Sequence, residues 1–291
     1  MGILSFLNGA GLKKSWSYET AAPDVIVWKL LISPSGILTG EERNVEKKTA
    51  SLFALDVRSG KMLWRGRELD EAWWFGMERA TDERLYVHRF RKPDMPEAKG
   101  IIAIDLITGK TIWEQPELVL IADLGDEVIA MRQGFERQDF FKLEGASGNP
   151  IEELGRDAAI VKPYLELAEA QDKKSLYTAS ITPGSEHFDA VEGLLRNVLR
   201  VEDVRGSIDF LEFGSYVLFS YHERIKSDAN AMLRNLLKNE LVVIDRESSD
   251  IVFRDTLHRE TPFPVPDNFF INNDTLIYVK EKRELTGVRL A

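Results

Sequence analysis

The stretch IIAIDLITGKTIWEQ, Ile101 to Gln115, contains two short apolar runs joined by a polar turn with a glycine. The earlier stretch LFALDVRSGKMLWRG, Leu52 to Gly66, repeats its order of residue types position by position. This order predicts a β-hairpin, because the aspartate can bond back to the turn and the glycine can adopt positive φ. The tryptophan then presents a large apolar surface that must be buried. One sheet of such hairpins cannot bury both of its faces, so further copies should pack beside it.

Two weaker copies support the repeat. FFKLEGASGNPIEE keeps Glu144 and Gly148 at the offsets of the aspartate and glycine but has no tryptophan. LVVIDRESSDIVFRD keeps Asp245 and places Phe253 at the tryptophan position. Loss of single positions in otherwise matching copies is typical of diverged repeats, so the chain is predicted to consist of one recurring unit.

A second signal lies between these hairpins, where an apolar run, a polar or glycine turn and another apolar run recur six times. The second runs are predicted to begin near Ile37, Leu85, Val128, Leu176, Tyr216 and Leu276. Units of about 40 to 50 residues with four strands each indicate an all-β fold, a six-bladed β-propeller, with seven blades as the alternative. We expect residues 1–291 to form this single domain, with the register of the fourth blade left open.

Both ends of the chain carry strands that lack a partner in their own unit. The last unit supplies three strands, while LKKSWSYE, Leu12 to Glu19, is an isolated strand with its own Trp16. Pairing of the N- and C-terminal strands would close the ring and remove its open edges. Two short helical insertions are also predicted, at Ser185–Val204 and Lys226–Glu240, because their apolar residues recur at helical spacing.

At Ala54 to Trp64 and Ala103 to Trp113 the chain resembles the quinoprotein-like (PQQ-type) β-propeller repeats, whose blades carry A-x-D-x-x-T-G-x-x-x-W. The resemblance implies a propeller and a packing role for the motif. It implies no single activity, since the motif occurs in dehydrogenases and in non-catalytic scaffolds. The quinone dehydrogenases are typically larger, eight-bladed and exported, and many have a vicinal cysteine pair. This chain has no cysteine and is more similar to small bacterial propellers of unknown function, so no cofactor is expected.

The composition excludes several classes of function. The chain has 291 residues and a formal net charge of −10, which disfavours nucleic acid and anionic membranes as partners. Because cysteine is absent, disulfides, thiolate metal sites and a cysteine nucleophile are excluded. No apolar run is long enough to span a membrane, and the N-terminus lacks a secretory pattern, so a cytoplasmic location is expected.

A ligand site in a propeller is expected at the axial end of the ring, where loops and inner strand ends converge. Counting along the second strands places Arg89, Arg132 and Lys280 on one rim, with His88 and His222 beside them. Such cations could hold the phosphate or carboxylate of a small ligand. The alternative is that they are solvated strand ends, as charged side chains usually are.

Other polar groups give weaker signals. The carboxylates Glu68, Asp70 and Glu71 fit a solvated loop better than a pair tuned for acid–base chemistry. Next to them, Trp73 and Trp74 would face opposite sides of a strand, so one should be buried and the other could bind a partner. No metal is expected, because none of the usual zinc-ligand spacings joins the four histidines, which are His88, His187, His222 and His258.

Packing motifs without a convergent catalytic set, on an acidic chain, indicate a non-catalytic protein-binding or scaffolding module. Its expected partner is another protein. The alternative function is an enzyme or small-anion binder that uses Arg89, Arg132 and Lys280 at the axial rim. A channel plugged by apolar side chains, with the rim cations pointing to bulk water, would remove the support for that alternative.

Overall fold

The computed structural model describes residues 11–92, 95–134, 137–170, 175–185, 188–201, 203–225, 236–266 and 268–290. They group into a central unit, Thr20–Ser175, and a terminal unit, which combines Met1–Glu19 with Leu176–Ala291. The described strands form five antiparallel sheets of four or five strands, which confirms the all-β class. Among the described residues, no helix is long and apolar enough to cross a membrane. The expectation of a single domain stays a prediction.

The central unit contains three four-stranded sheets, and in each sheet consecutive strands of the chain are neighbours. This simple meander follows from the repeated hairpins. The strands are β2 (Val25–Ile32), β3 (Ile37–Asn44), β4 (Thr49–Asp56) and β5 (Met62–Arg67); β6 (Phe75–Ala80), β7 (Arg84–Lys92), β8 (Met95–Asp105) and β9 (Thr111–Gln115); and β10 (Val119–Asp123), β11 (Glu127–Gln133), β12 (Gln138–Glu144) and β13 (Pro150–Gly155). A 3₁₀ helix (Ala158–Val161) and α1 (Lys162–Ala170) follow.

The repeated tryptophan joins each sheet to the next one. The Trp64 indole N–H donates to a main-chain carbonyl of the second sheet at 2.9 Å, and its ring lies against the turn glycine Gly109 of that sheet. Trp113 makes the equivalent contacts with the third sheet, donating to the Gly145 carbonyl at 2.9 Å and lying against Gly148. The predicted packing role of the motif is therefore confirmed in the central unit.

The first strand of each central sheet carries a β-bulge. Register shifts leave Trp28, Glu78 and Ile121 as extra residues on β2, β6 and β10. Beyond a bulge, side chains that would have faced one side of the sheet face the other, and the extra residue changes direction. At Trp28 this directs a large aromatic side chain outward.

The terminal unit holds two five-stranded sheets, in the orders β15-β16-β17-β18-β19 and β1-β22-β21-β20-β14. Strand β1 pairs antiparallel with β22, as expected for the two ends of the chain. Closure of a ring stays a prediction. The elements are β1 (Lys14–Glu19), β14 (Ser175–Tyr177), β15 (Ala179–Ile181), α2 (Phe188–Leu199), β16 (Val204–Phe213), β17 (Tyr216–Arg224), β18 (Leu237–Asp245), β19 (Ile251–Thr261), β20 (Phe269–Asn272), β21 (Thr275–Lys280) and β22 (Glu284–Arg289).

The region assigned to a fourth blade differs from the prediction. The apolar run before the predicted strand at Leu176 was expected to form a strand of its own. It lies in α1 instead, because Pro163 suits the first helical turn and the following Leu, Glu and Ala residues are good helix formers. Helix α2 confirms the first helical insertion. Of the second predicted insertion, residues 226–235 lie outside the described residues and 237–240 belong to β18. The described residues form five sheets, so the count of six blades is not confirmed.

Candidate functional site

The β2 bulge places an exposed tryptophan beside a second one. Trp28 is 56% exposed, and its ring centroid lies 6.4 Å from that of Trp73, with the planes tilted by 58°. The neighbouring Lys29 ammonium donates to the Met77 carbonyl at 2.6 Å, which ties the bulge to the second sheet. We call Trp28 and Trp73 the indole pair.

A buried ion pair supports the indole pair. The Arg43 guanidinium lies 4.8 Å from the Trp73 ring centroid and 5.5 Å from that of Trp28, distances typical of cation–π contacts. Its Nε and Nη2 donate to Glu41 Oε2 at 2.9 and 2.8 Å, and its Nη1 donates to the Trp73 carbonyl at 2.9 Å. The side chains of Arg43 and Glu41 are only 6% and 1% exposed. The ion pair therefore holds the indoles without presenting charge to solvent.

Glu71 orients the two adjacent tryptophans. Its Oε1 accepts hydrogen bonds from the amides of Trp73 and Trp74, at 3.1 and 3.2 Å. Both residues lie in a bend before β6 rather than on a strand, so the expected alternation of faces does not apply to them. Trp73 packs against the core, Trp74 makes an edge-on contact with Phe90, and both are half-buried.

His88 lies in the same part of the central unit. Its Nδ1 is 3.3 Å from Glu78 Oε2, and its ring is edge-on to Phe90, the ring that also contacts Trp74. The His88 ring lies against Gly76 of β6, where a Cβ would be only 3.2 Å from His88 Nε2. The structure thus brings the predicted residues Trp73, Trp74 and His88 into one neighbourhood.

Arg89 is engaged by acidic groups. Its Nη2 donates to Asp70 at 2.7 Å and to Glu114 at 3.2 Å. The hydrogen bond from Arg89 lowers the pKa of Asp70 below its usual range. Asp70 is thus an ion-pair partner rather than a proton donor, and the charge of Arg89 is already balanced by carboxylates.

The other two predicted rim cations lie in different surroundings. Arg132, in the central unit, is exposed and has its guanidinium 4.8 Å from the Phe141 ring centroid. Lys280, in the terminal unit, lies 3.0 Å from Asp255 and 3.7 Å from Glu284. The three-cation rim stays a prediction, and two of its three cations are bonded to carboxylates.

Two of the remaining histidines are buried in the terminal unit. His222 is 2% exposed, and its Nε2 accepts a hydrogen bond from the Val265 amide at 3.0 Å. His258 is 5% exposed, with Nδ1 at 3.6 Å from Glu281. His187 lies outside the described residues.

Trp28 and Arg43 were missed in the reasoning from sequence. Arg43 had a detectable signal, because Glu41 and Arg43 at spacing i, i+2 on a strand share one face. Trp28 had none, because the bulge that exposes it is defined by the pairing of β2 with β3.

The indole pair presents apolar surface beside an acidic group that is already bonded. Within the described ranges, no group of three or more histidine, aspartate or glutamate side chains could hold a metal ion. Glu41 is occupied by Arg43 and by the Met77 amide, to which its Oε1 is bonded at 2.6 Å. What the indole pair offers to solvent is apolar and is held by ring and cation–π contacts.

A family described as "Domain of unknown function (DUF4905)" matches residues 32–113, a range that includes both strong motif copies, Ala54 to Trp64 and Ala103 to Trp113. No curated protein matches the chain. Among solved structures, a europium-containing methanol dehydrogenase is 14% identical over 92% of this chain and 49% of its own, with a TM-score of 0.29. Prolyl oligopeptidase B from Galerina marginata, as apo protein, is 11% identical over 78% of this chain and 32% of its own, with a TM-score of 0.32. The chain spans about half the length of the first and about a third of the second.

Proposed function

We propose that the protein is a non-catalytic binding module that contacts a partner protein through the indole pair. The observation that carries this proposal is Trp28, which is 56% exposed and yet held against Trp73 and the buried Arg43–Glu41 pair. An exposed aromatic side chain that is already held by neighbouring groups loses less conformational entropy on binding than a free one. Tryptophan is also enriched among the residues that dominate binding free energy.

The net charge of the chain indicates which kind of partner surface it favours. A net charge of −10 favours association with a basic protein surface. At the indole pair the Arg43 charge is neutralised by Glu41, so the direct contact there is apolar. We therefore infer a partner that offers an apolar pocket flanked by lysine or arginine.

We also infer that the sheets are blades of a quinoprotein-like β-propeller. The packing of Trp64 on Gly109 and of Trp113 on Gly148, one sheet further along each time, supports this inference. Pairing of β1 with β22 supports it as well. The number of blades and the cytoplasmic location stay predictions from the sequence.

The alternative, a small-anion site or enzyme centre at an axial rim, has less support. Arg89 is bonded to Asp70 and Glu114, and Lys280 lies 3.0 Å from Asp255. An incoming phosphate or carboxylate would have to displace these carboxylates. We therefore prefer the binding module.

Affinity capture with quantitative mass spectrometry tests the proposal. The bait proteins are the wild type, Trp28→Ala, and the matched control Ile151→Ala, which removes an apolar side chain of 57% exposure from β13. We expect Trp28→Ala to lose the partner, with affinity for the purified partner reduced at least about 30-fold, as for a hot-spot residue. Ile151→Ala should keep it. Capture of the same proteins by Trp28→Ala and the wild type would contradict the proposal.

A further inference from the structure

A row of buried polar side chains crosses the β15–β19 sheet. His222 on β17 is directly opposite Asn239 on β18, which is directly opposite His258 on β19. Directly opposed residues share a face of the sheet, so the three side chains are lateral neighbours. Their exposures are 2%, 0% and 5%. Asn239 Oδ1 accepts a hydrogen bond from the Ser220 hydroxyl at 2.8 Å, which fixes the centre of the row.

The hydrogen bond at His222 defines its protonation. Because the Val265 amide donates to Nε2, that nitrogen must carry a lone pair, and the neutral ring holds its proton on Nδ1. Burial, together with the charge of His258, lowers the pKa of His222 to about 4. The ring is therefore neutral at pH 7.

The partner of His222 lies in residues 262–266, which follow β19 and which we call the strap. Within the strap, Phe263 is 75% exposed, and its carbonyl accepts a hydrogen bond from the Thr261 hydroxyl at 2.7 Å. Pro264 lies against Gly206 of β16, where a Cβ would be only 2.7 Å from the proline ring. The Val265 carbonyl accepts a hydrogen bond from the Asn268 side chain. The strap is thus seated on β16 and β17, with His222 bonding its amide.

The charged groups near the row include Asp209 of β16, which is 3% exposed and opposite Ser220, and several pairs of opposite charge. On β16, Arg205 lies opposite His222 and is bonded to Asp203 at 2.7 Å. On β18, Lys238 and Glu240 flank Asn239 on the other face and are paired with each other. Beyond β19, Glu281 and Lys282 act on His258 in opposite directions, and burial lowers the pKa of His258. His258 is therefore the titratable neighbour whose charge acts on His222.

We propose that His222 is a pH-sensitive clamp: the neutral ring holds the strap on β16 and β17, and the protonated ring releases the strap together with Phe263. The mechanism follows from the geometry. A proton on Nε2 occupies the lone pair that accepts the Val265 N–H, so the two groups become opposed donors. Release hydrates the imidazolium, which the closed state keeps from water. An acid environment thereby frees an aromatic residue that is tethered at pH 7.

Hydrogen exchange at the Val265 amide, followed by mass spectrometry from pH 7 to pH 5 and corrected for the pH dependence of chemical exchange, tests the clamp. An open ring with the ordinary pKa of 6.5 binds protons more readily than a clamped ring with a pKa of about 4. The open fraction should therefore rise on the order of 20-fold between pH 7 and pH 5. Exchange in the central unit, for example in β4, should not follow this rise.

Two variants separate the clamp from general acid sensitivity. His222→Gln offers an acceptor oxygen at every pH, so protection of Val265 should no longer depend on pH beyond chemical exchange. His258→Gln leaves the clamp intact and should keep most of the rise. An equal rise in His222→Gln, or none in the wild type, overturns the proposal. Should His222→Gln fail to fold, NMR titration of the wild-type His222 ring decides, because a ring that titrates without loss of Val265 protection also overturns it.

Discussion

At the scale of single residues, turn glycines determine where the repeated tryptophans can pack. Gly109 adopts a φ of 70°, and a Cβ at that position would lie 2.8 Å from the Trp64 ring. Gly148 has the same φ, and a Cβ at that position would lie 2.5 Å from the Trp113 ring. Each glycine thus meets two requirements, a left-handed backbone and a flat surface for the indole. Gly66 shares the φ of 70° but has no atom within 4 Å of its Cβ position.

Gly109→Ala and Gly66→Ala separate these two requirements. Both variants place alanine at positive φ, which should lower the free energy of unfolding by about 1 kcal/mol. Gly109→Ala additionally forces Trp64 to shift, and we expect a total loss of about 3 kcal/mol. Urea unfolding of both variants measures the difference. Equal losses would show that the tryptophan contact contributes nothing.

At the scale of elements, hairpin periodicity located strands well where a hairpin repeats. Five of the predicted second strands begin within one residue of the expected positions, which are Ile37, Leu85, Val128, Tyr216 and Leu276. Leu176 lies in the short strand β14, but the apolar run before it was wrongly predicted as a strand and belongs to α1. Short apolar runs fit a strand and a helix equally well, and only the surrounding packing distinguishes them.

The terminal strand β1 gives a prediction at this scale. Trp16 is 9% exposed and lies so close to Gly287 of β22 that a Cβ there would overlap its ring. Trp16→Ala should therefore lower the free energy of unfolding by about 3 kcal/mol, as for other buried tryptophans. Trp28→Ala, the matched control, removes a 56% exposed ring and should cost much less. Thermal and urea unfolding measure both. A similar small loss in the two variants would mean that β1 contributes little to its sheet.

At the scale of the whole molecule, stability should depend on pH through buried groups of both signs. Above pH 6.5 a histidine is neutral in the folded and the unfolded chain, so it has no effect. Below that pH the unfolded chain takes up the proton first, because burial holds the pKa of His222 at about 4. Asp255 contributes at lower pH: burial acts to raise its pKa, but Lys14, Tyr278 and Lys280 outweigh burial and lower it.

We therefore expect the free energy of unfolding to fall as the pH is lowered from 6.5 to 4, by at most about 3 kcal/mol from His222. Release of the strap limits this loss, since a released ring is protonated without unfolding. The carboxylate contribution should disappear only below pH 4. Urea titrations at several pH values test the curve, with His222→Gln as the flatter control. A wild-type curve that is level from pH 7 to pH 4 would contradict the assignment.

The candidate site was predictable only in part. Trp73 and Trp74 were identified because two adjacent tryptophans are conspicuous in any sequence. Trp28 was not, since its exposure depends on a bulge in the β2–β3 pairing. Counting along the strands placed the cations Arg89 and Lys280 on a shared rim. Such counting does not reveal which carboxylates lie within reach of them.

By itself, the sequence determined the hairpin unit and the all-β class, because each depends on residues close together in the chain. It indicated the packing of Trp64 and Trp113, which contact segments 42 and 32 positions away, only because the motif repeats. Turn residues and the alternation of apolar residues act over a few positions, so their effect does not depend on how the sheets are arranged. Tertiary structure alone decided that Trp28 is exposed and that His222 bonds to the strap. Those outcomes depend on strand register and on contacts between distant segments. The hydrogen bond between Val265 and His222, for example, joins residues 43 positions apart, and no local pattern encodes it.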